Sequence, residues 1–311
     1  MSQRLQKGSN ASDAAAKNVI AHRQVLAQIL KGCVDEFKDV PIQVIQKECI
    51  ERISKSKDPV TPPESIIGED NVDKSTKEGT VKYDIRFTAS VPGEEEKILL
   101  TINIEVQGDY RPEDKAGGRY ELVTRGIYYC ARLLSRQKGT VFSGSSYQHI
   151  RKVYSIWVCL DPDAEHRGTI TKYEIGENCI KGHAARRKED FDKLCLVMIC
   201  LKGIDDLSEL GKDVDDFLSL IFSDMKATNR RKALTDIFGF EPENSLGREM
   251  DEMCDYGLYK ERQGEKKGLE KGENRMLSLF RKLKESGLSE EMDKAILDPD
   301  YARKLIKVYG L

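Results

Sequence analysis

Two stretches of sequence determine the fold: residues 81–91 read VKYDIRFTASV, and residues 98–107 read ILLTINIEVQ. Apolar and polar residues alternate in both, which is the pattern of a β-strand with one buried face. Pro92 and Gly93 lie between the two stretches and predict a turn. We therefore expect a β-hairpin.

The register of this hairpin follows from its apolar residues. Pairing Ile85 with Ile104 puts the alternating apolar side chains of both strands on one face, and a shift by one residue destroys that arrangement. The same register places Asp84 opposite Glu105 on the other face. Directly opposed residues have Cβ atoms about 4.5–5.5 Å apart, so two carboxylates there repel each other unless a divalent cation lies between them. The alternative is a solvated polar face that carries these two acids by chance.

Asp84 and Glu105 are the predicted metal ligands, because Mg²⁺ commonly takes one or two carboxylates together with phosphate and water. Gln107 lies two residues after Glu105 and therefore on the same face. Its amide can orient a water molecule or a phosphate oxygen. It cannot supply the positive charge of a lysine.

A basic helix is predicted over residues 119–138, where five basic residues accompany a single acid. Arg125, Arg132 and Arg136 are spaced to share one helical face. A basic face beside an acidic metal pair suits the phosphodiester backbone of nucleic acid. The alternative is a solvated face without a ligand.

The remaining patterns predict a core of the α/β or α+β class, a mixed sheet flanked by helices. Helical spacing predicts helices over residues 19–37, 42–53 and 205–222. Apolar runs predict strands over residues 152–160, 170–175 and 191–202. Residues 54–79 are polar and contain several prolines and glycines, which predicts a loop.

We expect three regions along the chain: a disordered tail over residues 1–18, a core domain over residues 19–225 and a charged helical region over residues 226–311. Residues 256–274 are rich in charged residues and glycine, and Gly264, Gly268 and Gly272 lie four residues apart. The glycines recur every four residues, which favours either a helical stalk that forms homo-oligomers or a disordered linker.

Composition narrows the class of protein. The 311 residues include 51 basic and 53 acidic residues, a net charge of -2, so any binding of nucleic acid must come from local basic patches. No apolar run reaches the roughly 18 residues that cross a membrane, and residues 1–18 lack the apolar segment of a secretion signal. The eight cysteines include no CxxC pair. We therefore expect a cytoplasmic protein without a disulfide framework or a membrane partner.

Four short segments together resemble a known family. They read YDIRF at residues 83–87, IEVQ at 104–107, RGIYY at 125–129 and VYSIW at 153–157. In this order they are similar to the PD-(D/E)XK nuclease family transposases, which are related to the Rpn recombination-promoting nucleases. The charged, glycine-spaced C-terminal segment is also similar.

The resemblance implies a restriction-endonuclease-like mixed β-sheet and hydrolysis of double-stranded DNA that depends on Mg²⁺, with Mn²⁺ as an alternative. Asp84 and Glu105 would be the two acids of the motif, and Gln107 stands where the motif usually has lysine. A third acidic ligand often comes from upstream. The candidates for it are Glu78, Glu69 and Glu64, of which Glu78 is nearest in sequence.

The predicted function is therefore a metal-dependent DNA endonuclease that promotes recombination or transposition. Arg86 lies on the Asp84 face of its strand. It is therefore better placed than Lys82 or Arg125 to neutralise charge on the phosphate. The alternative is a catalytically degenerate nuclease fold that only binds DNA or protein, because Gln107 lacks the positive charge of lysine.

Overall fold

The computed structural model forms two compact units, the first ending at Cys254 and the second beginning at Asp255. The structure describes residues 14–55, 72–75, 79–93, 98–114, 116–184, 186–204 and 206–309, and it describes their side chains except in residues 52–82, 254–274 and 300.

A six-stranded mixed sheet, with strand order β1-β4-β5-β6-β8-β7, forms the centre of the first unit, and β2 and β3 form a separate pair. The strands are β1 (Ile50–Lys55), β2 (Val72–Ser75), β3 (Gly79–Lys82), β4 (Ile85–Val91), β5 (Ile98–Asp109), β6 (Val153–Asp161), β7 (Thr169–Glu174) and β8 (Leu194–Cys200). The β5–β6 and β6–β8 pairs are parallel, and the other pairs are antiparallel. The mixed sheet and its helices confirm the predicted α/β class.

The predicted hairpin is β4 and β5, and its register is confirmed. Ile85 lies opposite Ile104, and Phe87 lies opposite Ile102. The alternating apolar side chains of both strands are buried in the same core cluster. Burial of one complete apolar face fixed the register, because a shift by one residue would expose that face.

The prediction of a helix over residues 42–53 is wrong in its second half. Two helical turns, Ile42–Val44 and Ile45–Cys49, lead directly into β1, which pairs antiparallel with β4. Every residue of β4 is buried, so its backbone groups need a partner on the side away from β5. The strands β2 and β3 likewise occupy part of the predicted loop.

Helices cover both faces of the sheet. The helices are α1 (Arg23–Cys33), α2 (Leu122–Arg136), α3 (Val214–Ile221), α4 (Ala227–Phe238), α5 (Asn244–Glu285), α6 (Ser289–Leu297) and α7 (Pro299–Val308), with short turns at Asp35–Phe37, Tyr147–His149, Lys188–Phe191 and Leu207–Glu209. The apolar face of the hairpin packs with α1, α3 and α4 in one core cluster. The opposite face packs against α2, and Trp157 is the largest side chain buried there.

Both predicted boundaries of the core domain need correction. Residues 14–20 are helical, and Ala16 and Val19 are buried in the core, so the disordered tail predicted for residues 1–18 does not extend that far. Residues 1–13 lie outside the described part of the chain. At the other end, Leu234 and Met250 belong to the core cluster of the sheet. The first unit therefore continues past residue 225, because these apolar side chains need the sheet to cover them.

The second unit contains the end of α5 together with α6 and α7. Its core consists of Leu279, Leu283, Ala295 and Ala302, which are all almost fully buried. The backbone of the charged, glycine-spaced residues 256–274 is helical within α5. In the described part of the chain, no helix combines the length and the apolar character that crossing a membrane requires.

Gly126 sets the distance between α2 and the sheet. A Cβ atom at this position would lie 2.6 Å from Cδ1 and 2.9 Å from Cδ2 of Leu196, a fully buried residue of β8. Such distances are well inside van der Waals contact, so any larger residue must displace either the leucine or the helix. Glycine at position 126 therefore allows the close approach of α2.

We predict that Gly126→Ala destabilises the protein by about 1–3 kcal/mol through overpacking, although alanine is normally the better helix former. Chemical denaturation measures the free energy of unfolding. The double variant Gly126→Ala/Leu196→Ala should lose less stability than the sum of the single variants, because the smaller residue makes room. Thr124→Ala, at an exposed position of α2, is the control. An alanine variant as stable as the wild type would show that the helix is free to shift.

Candidate active site

Asp84 and Glu105 lock each other in place where β4 begins beside β5. The backbone N–H of Asp84 donates a hydrogen bond to Oε1 of Glu105 at 3.1 Å. In return, the backbone N–H of Val106 donates to Oδ2 of Asp84, also at 3.1 Å. Each carboxylate is thus held by the backbone of the opposite strand, as the predicted register requires. Asp84 lies in the short connection between β3 and β4, directly before Ile85, and Glu105 lies within β5.

The two carboxylates are buried, so ionising them costs more free energy than ionising carboxylates in water. Asp84 is 9% exposed and Glu105 is 1% exposed. Burial raises the pKa of Glu105 well above its ordinary value, and the charge of Asp84 raises it further. The hydrogen bond from the Asp84 backbone and the charges of Arg125 and Lys17 act in the opposite direction. The rise that remains shows that these opposing interactions do not fully offset burial and the charge of Asp84.

Lys17 brings an ammonium group to the pair from the helical residues that precede α1. Its Nζ lies 2.8 Å from Oδ1 of Asp84. Ala16, Val19 and Ile20 are buried in the core around it, so the backbone that carries the lysine is anchored. Sequence reasoning missed Lys17 because it assigned the residue to a disordered tail. The apolar residues beside it were the available signal.

Arg125, from α2, brings the second positive charge near Glu105. Its guanidinium donates hydrogen bonds to the hydroxyl oxygens of Tyr120 at 3.3 Å and Tyr129 at 2.8 Å. The same group lies over the ring of Tyr129, 5.1 Å from its centroid, and over the ring of Trp157, 5.3 Å from its centroid. Aromatic side chains thus hold this arginine in one position. The role of Trp157 was not predicted.

Gln107 and Arg86 lie on the same side of the sheet as the pair. Gln107 is half-buried in β5, and Cys159 of β6 lies opposite it in the parallel register. Arg86 is 9% exposed in β4, and its guanidinium lies over the ring of Tyr83 at 5.8 Å from the centroid. The structure therefore places the glutamine on the face of the acidic pair and leaves Arg86 with little surface for a ligand.

The three arginines of the predicted basic face of α2 are not equally exposed. Arg132 is only 5% exposed, and its guanidinium lies over the ring of Tyr128 at 6.0 Å from the centroid. A side chain so buried offers little surface to a phosphate backbone, and a role of Arg132 in DNA binding stays a prediction. Helical periodicity placed it on the face of Arg125 but could not show that other parts of the fold cover it. Arg136, at the end of α2, is half-exposed.

The three candidates for an upstream acidic ligand lie outside the described residues. These are Glu78, Glu69 and Glu64. The backbone of β3 ends two residues before Asp84, and the side chain of Lys82 is not described either. Their contribution to the site stays a prediction.

A second acidic cluster, Asp213, Asp215 and Asp216, lies at the start of α3. Oδ1 of Asp213 accepts a hydrogen bond from the backbone N–H of Asp216, which is the usual N-cap arrangement. Oδ1 of Asp215 accepts hydrogen bonds from the backbone N–H of Lys202 and the hydroxyl of Ser219. Lys202 also forms an ion pair with Asp216. These contacts explain the cluster as the cap of a helix.

The residues around Asp84 and Glu105 fit a hard divalent cation. Two carboxylates and the amide of Gln107 offer oxygen ligands, which Mg²⁺ and Mn²⁺ prefer. A bound cation would favour the ionised form of Glu105, whose pKa is raised by burial and by the charge of Asp84. No His or Cys side chain is needed in this set.

We predict that Glu105→Gln stabilises the metal-free protein at pH 7.5. The folded protein raises the pKa of Glu105, so it binds this proton more tightly than the unfolded chain does. The contribution of Glu105 to the free energy of unfolding is therefore highest with this residue protonated, and it falls as the pH rises above about 4.5. Glutamine resembles the protonated form, so the variant avoids this loss.

Thermal unfolding in chelator measures the effect. In a domain of this size, each kcal/mol of added stability raises Tm by about 2–4 °C. The advantage of Glu105→Gln should disappear near pH 4.5. Glu174→Gln, in the edge strand β7, is the control because its carboxylate is partly exposed to solvent. A Glu105→Gln variant less stable than the wild type at pH 7.5 would contradict the raised pKa.

Comparison with known proteins gives no further guide to this site. No family model matches the chain. No curated protein matches it at a significant level, and no solved structure does so. The functional assignment therefore depends on the residues and their geometry: two interlocked, buried carboxylates, with a lysine and a stacked arginine beside them.

Proposed function

We propose that this protein is a metal-dependent DNA endonuclease with a restriction-endonuclease-like core of the PD-(D/E)XK type. One observation carries the proposal: Asp84 and Glu105 are buried together and hold each other through backbone hydrogen bonds across β4 and β5. A fold gains no stability from two adjacent buried carboxylates, whereas a site for a divalent cation requires them.

The architecture supports the same family. The resemblance implies a mixed sheet flanked by helices, and the sequence pattern separately predicts both acids on one hairpin followed by a basic helix. The order β4-β5-β6, with α2 packed over the acidic side, agrees with that expectation. The family assignment itself remains our proposal.

Asp84 and Glu105 would hold Mg²⁺ or Mn²⁺, and Glu78 is our proposal for a further acidic ligand. When bound, the cation would polarise a phosphate and lower the pKa of a coordinated water molecule. Gln107 would orient that water through its amide. Arg125 would offset charge that develops on the phosphate, because its guanidinium is already positioned and needs no rearrangement.

The substrate we propose is the phosphodiester backbone of double-stranded DNA. Phosphate contacts come from local basic residues, because the chain as a whole carries a net charge of -2. Arg125 and Arg136 are the two predicted DNA-binding residues of α2 that keep exposed surface. Tyr128, one turn after Arg125 on this helix, is also exposed, at 45%.

The decisive experiment is nicking of supercoiled plasmid by the full chain with Mg²⁺, with Mn²⁺ and with excess chelator. We expect cleavage only with metal and a loss of about 10³-fold in both Asp84→Asn and Glu105→Gln. These amides still accept the backbone hydrogen bonds, so the hairpin should survive. Glu174→Gln is the control. Cleavage that persists in both site variants would locate the activity elsewhere.

A binding-only function is the second candidate, and Gln107 favours it because this residue carries no charge where the motif usually has lysine. It predicts that well-folded wild-type protein binds DNA but cleaves none with either metal. Metal-dependent nicking that disappears in Asp84→Asn would exclude it.

DNA binding can be tested separately from cleavage. We predict that Arg136→Ala weakens binding to a short duplex in chelator to a similar extent for different sequences. It should also reduce the slope of log affinity against log salt concentration by about 1. Arg125→Ala should act in the same direction. Arg187→Ala, an exposed arginine paired with Asp190, is the control. An unchanged slope in both α2 variants would place the DNA on another surface.

A further inference from the structure

The distribution of positive charge around the acidic pair differs from the usual motif. Two residues after the second acid, where the motif usually has lysine, this chain has Gln107. The ammonium group at the pair comes instead from Lys17, which lies far away in sequence and contacts Asp84 at 2.8 Å. The site thus has a lysine, although its motif does not.

We propose that Lys17 supplies the catalytic positive charge that the motif usually places on the strand. The inference rests on the proposed nuclease function and adds a residue to its site. It assigns activity to this chain in spite of Gln107.

The environment of Lys17 separates it from an ordinary surface ion pair. Its side chain is 20% exposed and that of Asp84 is 11% exposed, so the pair is shielded from solvent. The neighbouring Val19 and Ile20 are fully buried, which fixes the start of the side chain. Its ammonium group contacts Asp84, whose backbone N–H in turn binds the carboxylate of Glu105.

The role of Lys17 in hydrolysis is electrostatic. The oxygen of water forms a bond to phosphorus, and the bond from phosphorus to the leaving sugar oxygen breaks, with its electron pair staying on that oxygen. The attacking water releases one proton to solvent, and the leaving oxygen takes one from solvent. Lys17 stays protonated throughout and donates a hydrogen bond to the charge that develops on the phosphate.

Gln107 offers a way to move this charge back to the strand. It is half-buried and lies on the same side of β5 as Glu105, two residues further on. A lysine at position 107 would reach the same two carboxylates from the sheet. If the site needs one ammonium group, irrespective of the element that carries it, then the double variant Lys17→Met/Gln107→Lys should recover activity.

Four variants of the full chain test this inference. Lys17→Met removes the charge with little change in length, Lys17→Arg keeps it, and Lys17→Met/Gln107→Lys moves it to the strand. Lys172→Met is the matched control, because Lys172 pairs with Asp35 at 2.6 Å in the same manner. Nicking of supercoiled plasmid with Mn²⁺ gives kcat and KM. Titration of the DNA-free protein with Mn²⁺ gives the metal affinity independently of activity.

We expect Lys17→Met to lower kcat by about 10²-fold with little change in KM, because the charge acts on the transition state. The arginine variant should keep part of the activity, and the double variant should recover at least about tenfold over Lys17→Met. The DNA-free Lys17→Met protein should bind Mn²⁺ at least about fivefold more tightly, since a positive charge beside the carboxylates has been removed.

Three results would overturn the inference. They are wild-type kcat in Lys17→Met, a double variant no more active than Lys17→Met, and a loss of Mn²⁺ binding in Lys17→Met, which would mean that the lysine only holds the carboxylates in place. Failure of the proposed nuclease function is distinguishable, because wild type and control would then be as inactive as Asp84→Asn. That outcome removes both proposals.

Discussion

Two carboxylates facing each other inside the protein are the constraint on which the rest of this structure depends. Asp84 and Glu105 are almost fully buried, and each accepts a hydrogen bond from the backbone of the other's strand. Removing two like charges from water costs several kcal/mol per ion unless they are compensated. The fold compensates them from two directions, with Lys17 in front of α1 and Arg125 in α2.

This arrangement explains why elements distant in sequence meet at one end of the hairpin. The apolar face of β4 and β5 is covered by α1, α3 and α4, which also buries the helical residues around Lys17. The polar face is covered by α2, whose close approach depends on Gly126. Arg125 is then held between Tyr129 and Trp157. Each positive charge is therefore positioned by hydrophobic packing, while the negative charges are positioned by the backbone of the sheet.

The sequence predicted the hairpin and the acidic pair because both depend on alternation within one strand pair. A single register buries the apolar face, and that register places Asp84 beside Glu105. Local sequence patterns do not predict features that depend on tertiary contacts. The residues of β1 were predicted to be helical from their spacing, because their pairing with β4 is a tertiary contact that the local sequence does not show. Arg132 read as exposed because helical periodicity does not show what covers a helix.

Lys17 shows the same limit at the site itself. A motif defined along one strand identifies a lysine only at the motif position, and in this chain that position, 107, holds glutamine. Electrostatics imposes no such restriction, because an ammonium group acts through its distance from the carboxylates and not through the element that carries it. What the chemistry requires is a fixed positive charge near two buried acids. In this protein Lys17 lies 2.8 Å from Asp84 on a helical segment whose neighbouring residues are buried, and our proposal of an active site without the motif lysine rests on that contact.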